Sequence, residues 1–301
     1  MSQVSIPQEY FKAGKIAGEV REAVRKRSLL GISLMEICNF VEGMSRQKGA
    51  EPAFPCCVSV NSTAAHYSAL LENEYVLKEG DIVKIDMGSH INGYLVDTAI
   101  TVSYNPEYDS LVQATETSLN AAIKAAKEDV PVGYIGKVIE DTAKSWGFKT
   151  ISNLSGHSIE QYRIHAGVSI PNVWISANSK LKANTIYAIE PFLTVPEGAG
   201  YVVEGSAKPI YAMSSRKKTN DKKLDEIVDE IWNTRRTLPF TPRWYWDKFP
   251  KAELSKMLDK LVKMRIFRVY PDLIEARGGF VAQFEHTIVP TSTGAIVLTQ
   301  A

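Results

Sequence analysis

Two aspartates flanking a tight turn carry the first chemical signal in this chain of 301 residues. They lie in Asp81-Ile82-Val83-Lys84-Ile85-Asp86-Met87-Gly88-Ser89-His90-Ile91-Asn92-Gly93-Tyr94-Leu95-Val96-Asp97-Thr98. Asn92-Gly93 between β-branched runs marks a two-residue hairpin, because both residues tolerate positive φ. A loop centred there sets Ile91 opposite Tyr94, Gly88 opposite Asp97 and Asp86 opposite Ala99. Side chains alternate between faces, so Asp86 and Asp97 become diagonal neighbours on one face, about 7 Å apart or less at Cβ. Two ionised carboxylates that close on a mostly apolar ribbon repel each other and lose hydration. One or two bound cations relieve that strain; an exposed hairpin face with solvated carboxylates is the other reading the spacing allows.

A second copy of the pattern follows. Leu77-Lys78-Glu79-Gly80-Asp81-Ile82-Val83-Lys84-Ile85-Asp86 aligns without a gap on Leu181-Lys182-Ala183-Asn184-Thr185-Ile186-Tyr187-Ala188-Ile189-Glu190. Each is a polar turn and then an apolar strand ending in a carboxylate, the signature of two related half-domains with Glu190 equivalent to Asp86. A further carboxylate, Glu285, sits in the apolar stretch Val281-Ala282-Gln283-Phe284-Glu285-His286-Thr287-Ile288-Val289, where it needs a partner or a metal if the strand is central. The chain has five histidines. His66, His157 and His165 lie among small or apolar residues, which suits a site as well as a hydrogen-bonded structural role. His90 abuts the turn and His286 alternates away from Glu285; both read as structural.

The elements that must hold these groups alternate along the chain. Helical spacing covers about 10–27, with Phe11, Ile16, Val20 and Val24 near one face. Ser33 caps a second helix to about Ser45, with Glu36 at capping-box spacing. Residues 57–60 read as a short strand. Helices follow at about 109–127 and 135–146, the latter stopped by Gly147. Strands are expected near Tyr187–Leu193 and Val281–Pro290. Between them, residues 214–273 turn charge-rich with helical period, as a helical insertion would. Hydrophobic residues are 45%, charged residues 23% and the net charge is +1, so nothing global points to nucleic acid or membrane. No apolar run approaches the roughly 20 residues of a membrane span, and residues 1–7 lack a signal-peptide apolar region. Three cysteines, two of them adjacent, make a poor disulfide framework and fit a reducing cytosol.

These residues together resemble the methionine aminopeptidases, metallopeptidases of family M24. The order Asp86, Asp97, His157, Glu190, Glu285 is similar to that family's five-ligand set. Ala53-Phe54-Pro55, Ser59-Val60-Asn61 and Ala64-Ala65-His66-Tyr67 resemble the segment carrying its first active-site histidine. Gly156-His157-Ser158-Ile159, Ile164-His165-Ala166-Gly167, Ile170-Pro171-Asn172, Ala188-Ile189-Glu190-Pro191-Phe192 and Ala282-Gln283-Phe284-Glu285-His286-Thr287-Ile288 resemble the rest, so the similarity spans about 7–290. The insertion, with Leu238-Pro239-Phe240 and Arg243-Trp244, looks like the helical subdomain of type 2 enzymes. The lack of a long Lys-rich N-terminal extension looks archaeal. Trp244-Tyr245-Trp246 and Glu204-Gly205-Ser206 depart from the family pattern, away from the ligands.

The resemblance implies an α/β (α+β) pita-bread fold with two pseudo-symmetric halves. Its catalytic body would be 1–213 and 274–301, and its insertion 214–273. It implies two divalent ions (Co, Mn, Fe or Zn) on Asp86, Asp97, His157, Glu190 and Glu285. Glu190, His66 and His165 would be catalytic, and Phe54, Ile164 and Tyr270 would join the two histidines in binding substrate. The implied activity is removal of initiator methionine from peptides and nascent chains whose second residue is small. The protein is expected to be cytoplasmic and monomeric, with the ribosome as a candidate partner and neither membrane nor specific nucleic acid bound. Two alternatives share the fold. A proline-specific exopeptidase would carry a separate N-terminal domain, for which about 50 residues leave little room. A catalytically dead binding protein would have lost ligands that are present here.

Overall fold

The computed structural model describes residues 6–70 and 75–301. Among the described residues the α-helices are α1 Gln8–Lys26, α2 Leu34–Gln47, α3 Asp109–Ala125, α4 Val132–Ser145, α5 Lys222–Arg235 and α6 Lys251–Lys263. The strands up to the second half are β1 Glu51–Pro52, β2 Cys57–Val60, β3 Thr63–Ala65, β4 Ile82–Ile91, β5 Tyr94–Ser103, β6 Lys149–Thr150, β7 Ser155–Ile159 and β8 Ser169–Pro171. They continue as β9 Ile186–Ile189, β10 Phe192–Thr194, β11 Val202–Glu204, β12 Ile210–Met213, β13 Phe267–Tyr270, β14 Leu273–Glu275, β15 Val281–Gln283, β16 Glu285–Pro290 and β17 Ala295–Val297.

A nine-stranded sheet runs in the order β1-β4-β5-β16-β9-β7-β8, with β2 also on β4 and β17 on β16. Alternation decides which residues meet the helices. Val83, Ile85 and Met87 of β4 enter one apolar cluster with Val20 of α1, Ile37 and Val41 of α2, Leu119 of α3 and Ile139 of α4. Full burial of each such side chain stabilises by about 1.5–3 kcal/mol. Lys84, Asp86 and Gly88 fall on the other face by the same alternation. The α2 start follows from its sequence: the Ser33 hydroxyl accepts from the Glu36 amide while Glu36 accepts from the Ser33 amide.

The two halves repeat each other down to their turns. The Gly31 amide donates to the Leu77 carbonyl and the Leu77 amide to Ile32; in the second half the Asp129 amide donates to Leu181 and the Leu181 amide to Val130. Gly31 at φ 77° and Asp129 at φ 65° take the same left-handed conformation. β2 lies on β4 as β7 lies on β9. In that frame Ser59 faces Lys84 and His157 faces Ala188. Lys84 and Ala188 are equivalent in the sequence repeat, so His157 stands where the first half has Ser59.

Two expected strands are each broken in two. Residues 187–193 divide at Glu190-Pro191 into β9 and β10, and residues 281–290 divide at Phe284 into β15 and β16. β9 and β16 pair in the large sheet, whereas β10 and β15 pair in a separate three-stranded sheet. Pro191 has no N–H and cannot continue a ladder. Both strands turn at the same level, so the bend is shared rather than unpaired. Between β12 and β13, which pair from Ile210↔Tyr270 to Met213↔Phe267, the chain forms α5 and α6 around their own core of Ile227, Ile231, Phe240, Leu258 and Phe267.

Candidate active site

The β4–β5 register is the one the turn dictates: Ile91 pairs with Tyr94, Gly88 with Asp97 and Asp86 with Ala99. Asn92 and Gly93 supply the two positive φ values, 53° and 83°. On this face Asp86 and Asp97 meet residues delivered by the second half. Glu285 opens β16 directly opposite Ala99, Glu190 directly follows β9 at the break, and His157 sits in β7 opposite Ala188. Asp97, His157 and Glu285 present ligand atoms all within 4.8 Å of one another. His157 Nε2 stands 3.6 Å from an oxygen of Asp97 and 3.6 Å from one of Glu190. The Gln283 side-chain amide donates to Asp86 and to Glu190, both at 3.5 Å.

This cluster is a buried excess of negative groups. Asp97 is 4% exposed and Glu285 1% exposed. Burial, ahead of their mutual repulsion, raises Asp86, Glu190 and Glu285 well above the usual carboxylate range. Burial also pushes Asp97 up to about 7. Asp86 Oδ1, Asp97 Oδ1 and both carboxylate oxygens of Glu285 are buried without a hydrogen-bond donor. Orphaned oxygens converging with an imidazole are what a hard or borderline divalent ion satisfies. The donor set therefore fits a metal centre.

The main chain behind the cluster is braced. Thr287 Oγ1 accepts from the Asp97 amide and donates to the Asp97 carbonyl, each at 2.7 Å. Thr98 Oγ1 donates to the Glu285 carbonyl at 2.8 Å. Arg21 of α1, 5% exposed, reaches through to donate to Thr98 and to the Thr299 carbonyl.

The cluster opens into a cleft lined by Phe54, His66, Ile164, His165 and Tyr270 together with Asp86, Asp97, His157 and Glu190. Every candidate site residue read from the sequence thus faces one space, with Glu285 joined through Asp97 and His157. His66 directly follows β3 in the left-handed region at φ 63°, a costly conformation for a side chain with a Cβ, and one that clusters at functional sites. Burial lowers His66 to about 4, so its imidazole is neutral. His165 lies at the mouth. Its enclosure, followed by neighbouring His157, His66 and Arg268, holds its proton affinity down. The Tyr270 ring stands edge-on to His66 at 5.7 Å, and His165 stands edge-on to His157 at 4.5 Å.

Cys57, Ile210 and Pro239 also line the cleft and were not found from sequence. Nothing in the sequence marks them; in the structure Cys57 is the strand partner of Asp86. Gln283, two residues before Glu285, was likewise missed. The two histidines read as structural are so placed: His90 Nδ1 accepts from the Gly93 amide in the turn, and His286 Nδ1 shares a hydrogen bond with the Thr299 hydroxyl. All three cysteines are free thiols.

A family model described as metallopeptidase family M24 matches residues 8–292. A methionine aminopeptidase of Pyrococcus abyssi is 42% identical over 96% of this chain and 98% of its own length. One of Saccharolobus solfataricus is 40% identical over 96% of each chain. The crystal structure of a methionine aminopeptidase from Thermotoga maritima superposes with a TM-score of 0.71 at 25% identity, covering 100% of both chains.

Proposed function

The chain belongs to metallopeptidase family M24, and we propose that it is a methionine aminopeptidase that removes the initiator methionine when the second residue is small. The observation that carries this reading is the juxtaposition of the orphaned carboxylate cluster with the side chains of Phe54, Ile164 and Tyr270 in one cleft. Asp86, Asp97, His157, Glu190 and Glu285 would hold divalent metal, two ions by our reading, with cobalt, manganese, iron and zinc all suited to the donors. Bound there, such ions acidify a water and polarise the scissile carbonyl. By our reading Glu190 would carry the proton from the attacking water to the leaving amine. His66 and His165, neutral and crowded, can donate hydrogen bonds to the substrate amide and to the oxyanion of the tetrahedral intermediate. The carboxylates attract a free α-amine, which restricts cleavage to chain ends.

Phe54, Ile164 and Tyr270 would seat the methionine side chain. A thioether is flexible and favourable against aromatic rings. Discrimination by apolar fit amounts to about 1–3 kcal/mol per methylene. Norleucine should be tolerated, and leucine, branched closer to the backbone, rejected. The division into a body (1–213 and 274–301) and an insertion (214–273) belongs to the same proposal, as do a cytoplasmic monomer and nascent chains as substrates. No described helix is long and apolar enough to cross a membrane.

The test is kcat/KM on Met-Ala, Met-Val, Met-Lys and Leu-Ala peptides, with metal content measured alongside. We expect Met-Ala to lead, Met-Val to follow and the other two to be poor. Equal rates on Met-Lys and Met-Ala would remove the narrow second site. Equal rates on Leu-Ala and Met-Ala would leave only a general aminopeptidase.

A further inference from the structure

Arg235 is the last residue of α5, far in sequence from the ligands, and it is 5% exposed. Among the described residues no carboxylate forms an ion pair with it. Its guanidinium instead donates to three backbone carbonyls, those of Pro52 at 2.8 Å, Ala53 at 2.9 Å and Pro239 at 3.0 Å. Its flat face lies on the Trp244 ring at 4.8 Å. The carbonyls belong to two chain segments that each supply a residue to the cleft. Pro52 and Ala53 lead directly into Phe54, whose ring lines it, and Pro239 lines it from the insertion. The Phe54 ring packs on the bare backbone of Gly88, where a Cβ would come within 2.4 Å of Phe54 Cε1.

The other end of the same segment is held as well. Glu42 of α2 accepts from the Cys56 amide at 3.0 Å and from Trp244 Nε1 at 2.7 Å, and it is paired with Arg243. Arg243 and Trp244, like Arg235 and Pro239, belong to the insertion. Segment 52–57 is thus held at one end by Arg235 of the insertion and at the other by Glu42 of α2, which the insertion's Arg243 and Trp244 anchor, and Phe54 and Cys57 are its two cleft-lining side chains.

Three carbonyl oxygens converging on one point repel unless a cation lies between them, and buried acceptors left without donors are costly. We propose that Arg235 is a positioning residue that sets the width of the pocket for the substrate's first side chain, by clamping the Phe54 wall to the Pro239 wall. This rests on the reading of the cleft as a methionine pocket. Without the cation the two walls part, and an unbranched side chain loses its advantage over a branched one. Arg235 makes no hydrogen bond to Asp86, Asp97, His157, Glu190 or Glu285, so their places should not change with it.

The experiment compares Arg235→Met, which keeps the aliphatic stem and loses the donors, with Arg235→Lys, which keeps a cation. In Arg235→Met the ratio of kcat/KM for Leu-Ala over Met-Ala should rise about tenfold, the span one methylene of fit commands. KM for Met-Ala should rise more than kcat falls, with metal content unchanged. Arg235→Lys should return the ratio to within about twofold of wild type, because an ammonium can serve several carbonyls at once. A lower kcat at an unchanged ratio overturns the proposal, and so does a lysine variant as relaxed as the methionine one. Should Arg235→Met fail to fold, Arg235→Gln, a neutral donor, carries the same expectation at about a threefold change. If wild-type protein cleaves neither peptide, the methionine-pocket reading itself fails. Calorimetric affinities for free L-methionine and L-leucine then give the same ratio without turnover, and its invariance in Arg235→Met would sink the clamp separately.

Discussion

The two halves of the molecule share one scaffold and present their carboxylates in opposite ways. In the first half Asp86 and Asp97 ride on two unbroken strands of 10 residues each, joined by a two-residue turn. Their positions are fixed by alternation and register alone. In the second half Glu190 and Glu285 sit where strands break, beside Pro191 and Phe284, and the chain leaves for another sheet. A straight strand can offer its face every second residue. A bent one brings a main-chain corner toward the same point, so ligands from the two halves can crowd into one cluster. The halves also diverge at Ser59 and His157, which occupy equivalent ladder positions; only the second half supplies the imidazole. Symmetry built the scaffold, and departures from it built the site.

The comparison breaks most sharply if one half proves dispensable. Asp97→Asn, from the straight half, and Glu285→Gln, from the bent half, should each abolish metal binding and turnover. The loss should exceed by far the 10–100-fold, roughly, that follows removal of an outer hydrogen-bond partner. Elemental analysis and peptide hydrolysis decide it; wild-type turnover with full metal in either variant would show that half to be structural only. The histidines come next. His157→Ala should weaken metal binding, whereas His66→Ala should keep the metal and lose on the order of 100-fold or more in kcat, the typical cost of one donor to a developing oxyanion. Metal lost from the His66 variant and retained in the His157 variant would reverse the two roles.

A smaller effect separates the two ways of packing. A Cβ on Gly156, beside His157, would meet the Ala188 carbonyl oxygen at 2.3 Å, and one on Gly88 would press on Phe54. Both alanine variants should lose about 1–3 kcal/mol, as overpacked cores do. Gly156→Ala should also weaken metal affinity, and Gly88→Ala should raise KM at constant metal. Thermal melts and titrations would expose the opposite pattern. The smallest effect is a pH slope in chelated protein. Asp97, near 3.9 in an unfolded chain, lies at about 7 when folded, so the folded state keeps a proton that the unfolded state has lost. The stability from that proton is complete below about pH 4 and disappears as pH rises through 7. The midpoint of unfolding of the chelated protein should therefore fall from pH 5 to 8, more steeply than that of the metal-loaded protein. Parallel slopes would place the metal elsewhere.

The straight half was legible from sequence down to its register; in the bent half the carboxylates and strands were legible and the breaks were not. Asn92-Gly93 fixes its own turn, and a fixed turn fixes every pair along β4 and β5. Ser33 and Glu36 announced α2 because both partners of the capping box are local. Residues 187–193 and 281–290 read as continuous apolar runs because burial on both sides hides where a strand changes sheets. Pro191 was a visible warning; Phe284 carried none. Cys57, Ile210 and Pro239 look like any core residues, since a pocket wall and a core share composition. The left-handed His66 was invisible, because nothing in Ala64-Ala65-His66-Tyr67 demands positive φ.

The placement of β16 has a kinetic consequence. It pairs with β5 on one side and β9 on the other, and both are made before it. Until it arrives, the first half has an open edge at β5, where Thr98 and Asp97 wait for partners nearly two hundred positions away. Contacts of such long range form late, and an uncovered strand edge invites pairing with the wrong chain. Insertion of this one strand closes the edge and delivers Glu285 in the same event. On the metal-centre reading, divalent ions present during refolding should therefore raise the yield of folded protein, read as recovered peptide hydrolysis.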